Sequence, residues 1–203
     1  MPETDAFPMI EHAPWIGSRY WSDGVQGQRL GIVGYSHWTD DDHADFTIEC
    51  MRNVISGEWN IAFFNSIAGY FGMAPADFYE RVVMFEFVPC AIGGGDERYA
   101  NASVEQAERG RSRMLEIAET NQIEKLLIFS AKGWRASPPT IEERAGEENR
   151  QLGSTGFRYG HYDVGGRRFP AVGLRHPQYA PKAKMVEAVE VAMRLGKVSG
   201  DEG

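Results

Sequence analysis

Three short apolar runs, each ended abruptly by glycine, proline or serine, govern what this chain can fold into. They read "LGIVG" (Leu30–Gly34), "VVMFEFVPC" (residues 82–90) and "KLLIFS" (residues 125–130). Runs of this length without polar alternation suit strands covered on both faces. Between them apolar residues recur at helical spacing. Residues 45–55 carry Ile48, Met51, Val54 and Ile55, and residues 59–71 carry Ile61, Phe64, Ala68 and Phe71 before stopping at Gly72. Pro75 opens a third, short helix, because its fixed φ fits a first turn. Residues 101–120 form a long polar helix with Val104, Ala107, Met114 and Ala118 on its inner face. Strands alternating with helices predict parallel βα units.

The remaining segments complete one domain over residues 1–203. A charged, irregular stretch at 137–154 is expected as a mobile loop. Residues 157–164 and 168–174 flank "GG" and predict a hairpin. Residues 181–195 close the chain as a helix, with Met185, Ala188, Val189, Ala192 and Met193 on one stripe.

A formal charge of −8 argues against a broad nucleic-acid surface, since phosphate binding draws on clustered Lys and Arg. A local basic rim stays open to "ERGRSR" (108–113), "GGRRF" (165–169) or "APKAK" (180–184), each of which is otherwise a solvated face. No segment has the length of an apolar membrane span, and residues 1–15 lack the basic start and apolar middle of a signal peptide. Cys50 and Cys90 form no metal-ligand spacing, so a reduced, cytoplasmic setting is expected. "HWTDDDH" (37–43) reads as a helix N-cap region rather than a metal site, for want of ligand spacing on one face. "GGG" (93–95) has no following Lys-Ser or Lys-Thr, which leaves it a flexible pocket edge and not a nucleotide-hydrolase loop. Ser36 with His176 lacks the Gly-x-Ser-x-Gly elbow of a serine hydrolase.

In parallel α/β sheets ligands bind beyond the carboxyl ends of the strands. Four strand ends are legible here: "GYSHW" (34–38), "FVPCAIGGG" (87–95), "SAKGW" (130–134) and "RHPQY" (175–179). All are rich in polar or aromatic side chains, which core turns do not require. Lys132 belongs to the same mouth, and core packing is the expected role of Trp134. Glu86 interrupts an apolar strand, where an unpaired charge is costly, so it faces a pocket or an arginine.

The order of these segments, from about residue 30 to residue 195, resembles the uracil-DNA glycosylase superfamily. "VGYSHW" stands where that family has its glycine-led first motif, closest to a branch with Gly-Glu-Ser-His-Tyr. "MFEFVPC" stands at its middle strand, "LLIFSAKGW" at the strand before the last motif, and "LRHPQYAP" at the His-Pro-Ser motif. The resemblance implies one three-layer α/β/α domain with a short, mainly parallel sheet. It also implies recognition of a nucleobase, with hydrolysis of its N-glycosidic bond in DNA, and no metal or organic cofactor. His176, followed by Pro177, would stabilise the leaving base. Trp38 or Phe87 would stack on it, and Glu86 would read its edge or act as a displaced base. Tyr35, Ser36 and His37, after Gly34, would shape the water side. Gln178 with nearby amides would hold a phosphate, and Tyr179-Ala180 stands where the family has its wedge, without matching it. Two departures bear on activity. Tyr35 and Ser36 replace the water-positioning carboxylate or Asn, and Glu86 replaces the base-reading Asn. Two other functions therefore stand beside excision: a glycosylase-like binding protein for a nucleotide or a protein partner, and an enzyme acting on a small molecule in the same pocket.

Overall fold

The computed structural model describes residues 9–94 and 100–196 of the 203-residue chain. It is a mixed α/β fold built on one seven-stranded sheet. In chain order the elements are β1 (Trp15–Ile16), β2 (Leu30–Gly34), α1 (Phe46–Ser56), α2 (Ala62–Tyr70), α3 (Pro75–Tyr79) and β3 (Val82–Glu86). They continue with α4 (Val104–Thr120), β4 (Lys125–Ile128), α5 (Ala131–Ala136), α6 (Ile141–Arg144), β5 (Arg150–Gln151), β6 (Arg158–Val164), β7 (Arg167–Gly173) and α7 (Lys182–Arg194). The strand order is β1-β3-β2-β4-β7-β6-β5. β3, β2, β4 and β7 run parallel, as the apolar runs predict, whereas β1, β5 and β6 add antiparallel edges.

Successive residues of the parallel strands face opposite sides of the sheet, and each side has its own core. Leu30, Ile32, Val82, Met84, Leu127 and Val172 join residues of α1, α2, α3 and α7 in one cluster. Val33, Val83, Phe85, Leu126, Ile128 and Ala171 join Met114, Ile117 and Ala118 of α4 in the other. Glu86 ends β3 two residues beyond Met84 and so turns toward the first core.

The local chemistry explains most boundaries. Gly57 ends α1 at φ 81°. Ser103 caps α4 in a reciprocal box with Gln106. Ser103→Ala is expected to lower the unfolding free energy by about 1 kcal/mol, read from the denaturant midpoint. Gly165 (φ 59°) and Gly166 (φ 73°) supply the two positive φ values that the β6–β7 hairpin turn requires.

Three expectations need correction. Val104 is 77% exposed, because the buried stripe of α4 begins a turn and a half later with Gly110, Arg113 and Met114. The stretch 137–154 is not wholly irregular: it contains α6 and β5. Thr140 and Glu143 form a capping box, Thr140 Oγ1 donates to Asn149 Oδ1, and Asn149 Nδ2 donates to Glu143 Oε1. The aspartates of "HWTDDDH" do not cap α1: the cap residue is Asp45 and its side chain makes no capping bond. Asp42 instead pairs with His12 Nε2 and accepts from the Ala91 N–H. Of "GGG", Gly95 lies outside the described residues, as do residues 1–8 of the N-terminal stretch. No helix among the described residues is long and apolar enough to cross a membrane.

Candidate functional site

Because β2, β3, β4 and β7 are parallel, their carboxyl ends share one edge of the sheet. Of these four, β2 comes first in the chain, and β3 and β4 flank it on opposite sides, which makes its end a topological switch point. Two adjoining chambers open there. The outer one, about 640 Å³, is lined from the ends of β2, β4 and β7. The inner one, about 360 Å³, reaches toward Glu86. Tyr35, Trp38 and His176 line both and form the neck between them.

The outer chamber is basic. Lys132, Arg135 and Arg175 line it, and no acidic side chain does so among the described residues. Lys132 Nζ sits 4.4 Å from the centre of the Tyr35 ring and donates to the Ala100 carbonyl at 3.2 Å. Trp38 and Tyr179 are exposed on the rim, at 44% and 61%, and offer two faces for stacking.

The inner chamber is aromatic. Phe46, Trp59, Phe63 and Phe64 line it together with Ile61 and Cys50. Its floor carries the one acidic side chain of either chamber among the described residues, Glu86, which is 5% exposed. Glu86 Oε2 has no hydrogen-bond partner among the described residues. Burial pushes the Glu86 carboxyl up to about 8, against the opposing attraction of Arg113. Arg113 Nη1 donates at 3.0 Å to the backbone carbonyl of Glu86, and its Nη2 donates to the carbonyl of His12. Burial therefore favours the neutral acid form of Glu86.

Gly34 is what makes room for that carboxyl. A Cβ at Gly34 would lie 2.0 Å from Glu86 Oε2. Gly34→Ala is expected to lower stability by about 1–3 kcal/mol, the range for overpacking a tight site. A smaller loss for the same change in a Glu86→Ala background, compared by denaturant melts, would place the cost in this contact.

His176 ends the β7 loop and starts a single 3-10 turn, Pro177–Tyr179. Its Nδ1 accepts from the Gln178 backbone N–H at 3.3 Å, which leaves the hydrogen on Nε2. The ring lies 5.0 Å from that of Phe63, and burial holds its pKa below the usual histidine value. His176 is thus a neutral donor at the neck. Ser36 also lines the inner chamber, and its buried Oγ has no hydrogen-bond partner among the described residues. His37 Nε2 meets Thr47 Oγ1 at 2.9 Å, and burial lowers its pKa to about 3, so it is a neutral wall of the inner chamber.

Of the residues singled out in the sequence, Tyr35, Ser36, His37, Trp38, Glu86, His176, Gln178 and Tyr179 converge on the two chambers. Pro177 shapes the turn behind His176, and Gly34 lies behind Glu86. Phe87 does not face either chamber. It is 1% exposed in the second core, 6.3 Å behind the Tyr35 ring, because strand alternation turns it opposite to Glu86. Trp134 packs on Gly173, where a Cβ would lie 2.4 Å from its ring.

The basic clusters of the sequence do not build the rim. Arg109 pairs with Glu11 and Glu116, Arg111 donates to the Ala136 carbonyl, and Arg113 is buried. Arg167 donates to the carbonyls of Ile123 and Ala118, Arg168 contacts Glu142, and Lys184 lies over Phe157. Arg135 and Arg175, isolated in the chain, take their place. The aromatic wall from Phe46, Trp59 and Phe63 does not stand out as a site in the sequence either; its one signal there is the density of rings in "WNIAFF" (59–64).

Comparison with known proteins finds no family model that matches this chain and no curated protein similar to it.

Proposed function

We propose that this chain recognises a nucleobase and cleaves the N-glycosidic bond that carries it, within a three-layer α/β/α domain resembling the uracil-DNA glycosylases. The observation that carries the reading is the pair of chambers: an aromatic, base-sized inner one and a basic outer one, joined at a neck that contains a neutral histidine donor. A base inside and its sugar phosphate outside put the glycosidic bond at that neck, beside Tyr35, Trp38 and His176. When the bond breaks, its electron pair passes to the base. His176 Nε2–H hydrogen-bonds the carbonyl oxygen on which that charge gathers. Water adds its oxygen to the anomeric carbon, and its proton ends on the departing base. Ser36 offers a hydroxyl that holds this water but cannot take its proton. Lys132, Arg135 and Arg175 meet the phosphates, so a local footprint suffices in a chain of charge −8.

The same geometry supports one other reading, a protein that binds a base without cutting it. A protonated Glu86 and the absence of any other carboxyl lining the chambers favour it among the described residues.

A single-turnover assay in protein excess separates them, with single- and double-stranded oligonucleotides bearing uracil, hypoxanthine or xanthine. Cleavage establishes excision, binding without cleavage establishes the recognition protein, and neither outcome on any substrate removes nucleic acid. Lys132→Glu with Arg175→Glu is expected to weaken oligonucleotide binding alike for every base. It should also make the slope of affinity against salt less steep, by about one for each phosphate that the variant no longer neutralises.

A further inference from the structure

We propose a second ligand site, at the opposite end of the sheet from the two chambers, that takes a small phosphate monoester between Arg29, Arg167 and Arg168. It stands independently of the nucleobase reading. Arg29 precedes β2, Glu124 precedes β4 and Arg167 opens β7, so the amino ends of three adjacent parallel strands meet there. Leu195 and Gly196, at the carboxyl end of α7, complete a cleft of about 510 Å³. Phe169, Pro170 and Leu195 form its apolar wall, beside which the organic part of the ester would lie.

Charge is what points to an anion. Three guanidiniums line the cleft against one carboxylate, Glu124, a formal excess of two positive charges. Against the opposing effect of burial, hydrogen bonds from Arg29 and the charges of Arg29 and Arg167 hold the Glu124 carboxyl below its ordinary value. One anion is thus shared between two cations. Arg168 contacts Glu142 at 3.4 Å, but that carboxylate is buried outside the cleft and also accepts from the His161 backbone N–H at 2.8 Å. Like charges gathered in this way repel one another until an anion enters.

The guanidiniums are held in place without being used up. Arg167 donates through Nη1 and Nη2 to the carbonyls of Ile123 and Ala118, at 3.4 and 3.2 Å. Arg29 donates through Nη1 to Gln122 Oε1 and through Nη2 to Glu124 Oε1, at 2.8 and 2.7 Å. A guanidinium has five N–H donors, so each arginine keeps some for an oxyanion. The polar wall is fixed as well: Gln28 Oε1 accepts from the buried Lys125 Nζ at 2.7 Å, and Gln28 Nε2 donates to the Met193 carbonyl at 3.0 Å. Donors pinned before binding lose little entropy on binding, and arginine forks match phosphate oxygens. A phosphate monoester carries about two negative charges at pH 7, which fits the excess, whereas a diester carries one.

The test is calorimetric titration of the whole protein in about 20 mM salt, where charge pairing is little screened. The probe is phenyl phosphate, and the protein carries Lys132→Glu with Arg175→Glu so that the basic outer chamber does not take it up. Phenyl phosphate should bind at one site, and phenyl sulfate, similar in shape with one charge fewer, should bind at least about fivefold more weakly. Arg168→Gln, at an exposed position, should weaken phenyl phosphate binding at least about tenfold. Glu124→Gln should tighten it by about two- to fivefold, because the cleft loses its one carboxylate; a merely structural role for Glu124 would lower affinity instead. No binding of phenyl phosphate, binding unchanged in Arg168→Gln, equal affinity for the sulfate, or weaker binding in Glu124→Gln would overturn the site. An unphosphorylated thymidine dodecamer that binds the same protein and is displaced by phenyl phosphate would also overturn it, by giving the arginines to a nucleic-acid backbone.

Discussion

Glu86→Gln is expected to stabilise the protein, by an amount that grows with pH and reaches on the order of 3–5 kcal/mol by pH 8. In the folded protein the carboxyl titrates at about 8, against an ordinary value of 4.5, because burial disfavours the anion. Below both values the group is protonated in the folded and unfolded states alike and contributes no pH dependence. Between them the unfolded chain releases its proton and the folded chain keeps it. The folded state then binds more protons, so stability falls as pH rises, by at most about 1.4 kcal/mol per unit. Above the folded value both states are ionised and the loss levels off. Glutamine has nothing to titrate and escapes the loss. Denaturant melts of the two proteins at half-unit steps from pH 4 to 9 would trace the gap. Curves that stay parallel across that range would mean that Glu86 is ionised in the folded protein, and that its role as a neutral acid is wrong.

That cost gives the site its physical sense. A buried carboxyl with an unmet oxygen lowers stability in the ligand-free protein, and a well-packed apolar residue would remove the penalty. Such strain is commonly found at functional positions, where stability is traded against a task. Glu86→Gln tests that trade through stability: it should gain stability, and the gain should grow with pH.

His176→Ala is expected to slow cleavage by roughly 100- to 1000-fold, the range for losing one pre-placed donor at a developing negative charge. The affinity for the substrate oligonucleotide should change by less than about threefold, because the donor matters most as charge appears on the base. The ring is half-buried and its Nδ1 accepts from Gln178, so His176→Gln is the companion variant that keeps a polar side chain at the neck. Measured in a Glu86→Gln background, where the Glu86 titration does not intrude, the rate should be flat from pH 7 to 8, since burial keeps His176 below the usual histidine value and neutral there. Equal losses in binding and rate would assign His176 to positioning the substrate instead. An unchanged rate would remove it from the reaction.

Much of the architecture is legible in the chain. The predominantly apolar runs at residues 30–34, 82–90 and 125–130 contain the parallel strands β2, β3 and β4, since no polar alternation gives them a solvent face. Their carboxyl ends hold the polar and aromatic side chains that line the cleft; Glu86 stands out because it interrupts an apolar strand, and His176 because it lies just beyond the end of one. The edges are not legible. β1 and β5 have two residues each, too few for a period, and the four-residue α6 is fixed by the Thr140–Glu143–Asn149 hydrogen bonds rather than by pattern.

Which ionisation state and which neighbours each group has is decided by tertiary structure. The sequence places Glu86 in a strand; only the helices folded over it remove the water that would have kept it charged. The sequence displays three clusters of arginine and lysine; folding ties up most of their arginines with carboxylates and carbonyls. It draws the basic rim from Lys132, Arg135 and Arg175, which lie on two separate segments of the chain. Phe87 and Glu86 are neighbours in the chain and lie on opposite faces of the sheet, because strand alternation sends one into the second core and the other into the chamber. Period and composition are local properties and survive in a sequence. Charge state, desolvation and the meeting of distant loops depend on what the fold brings within a few ångströms.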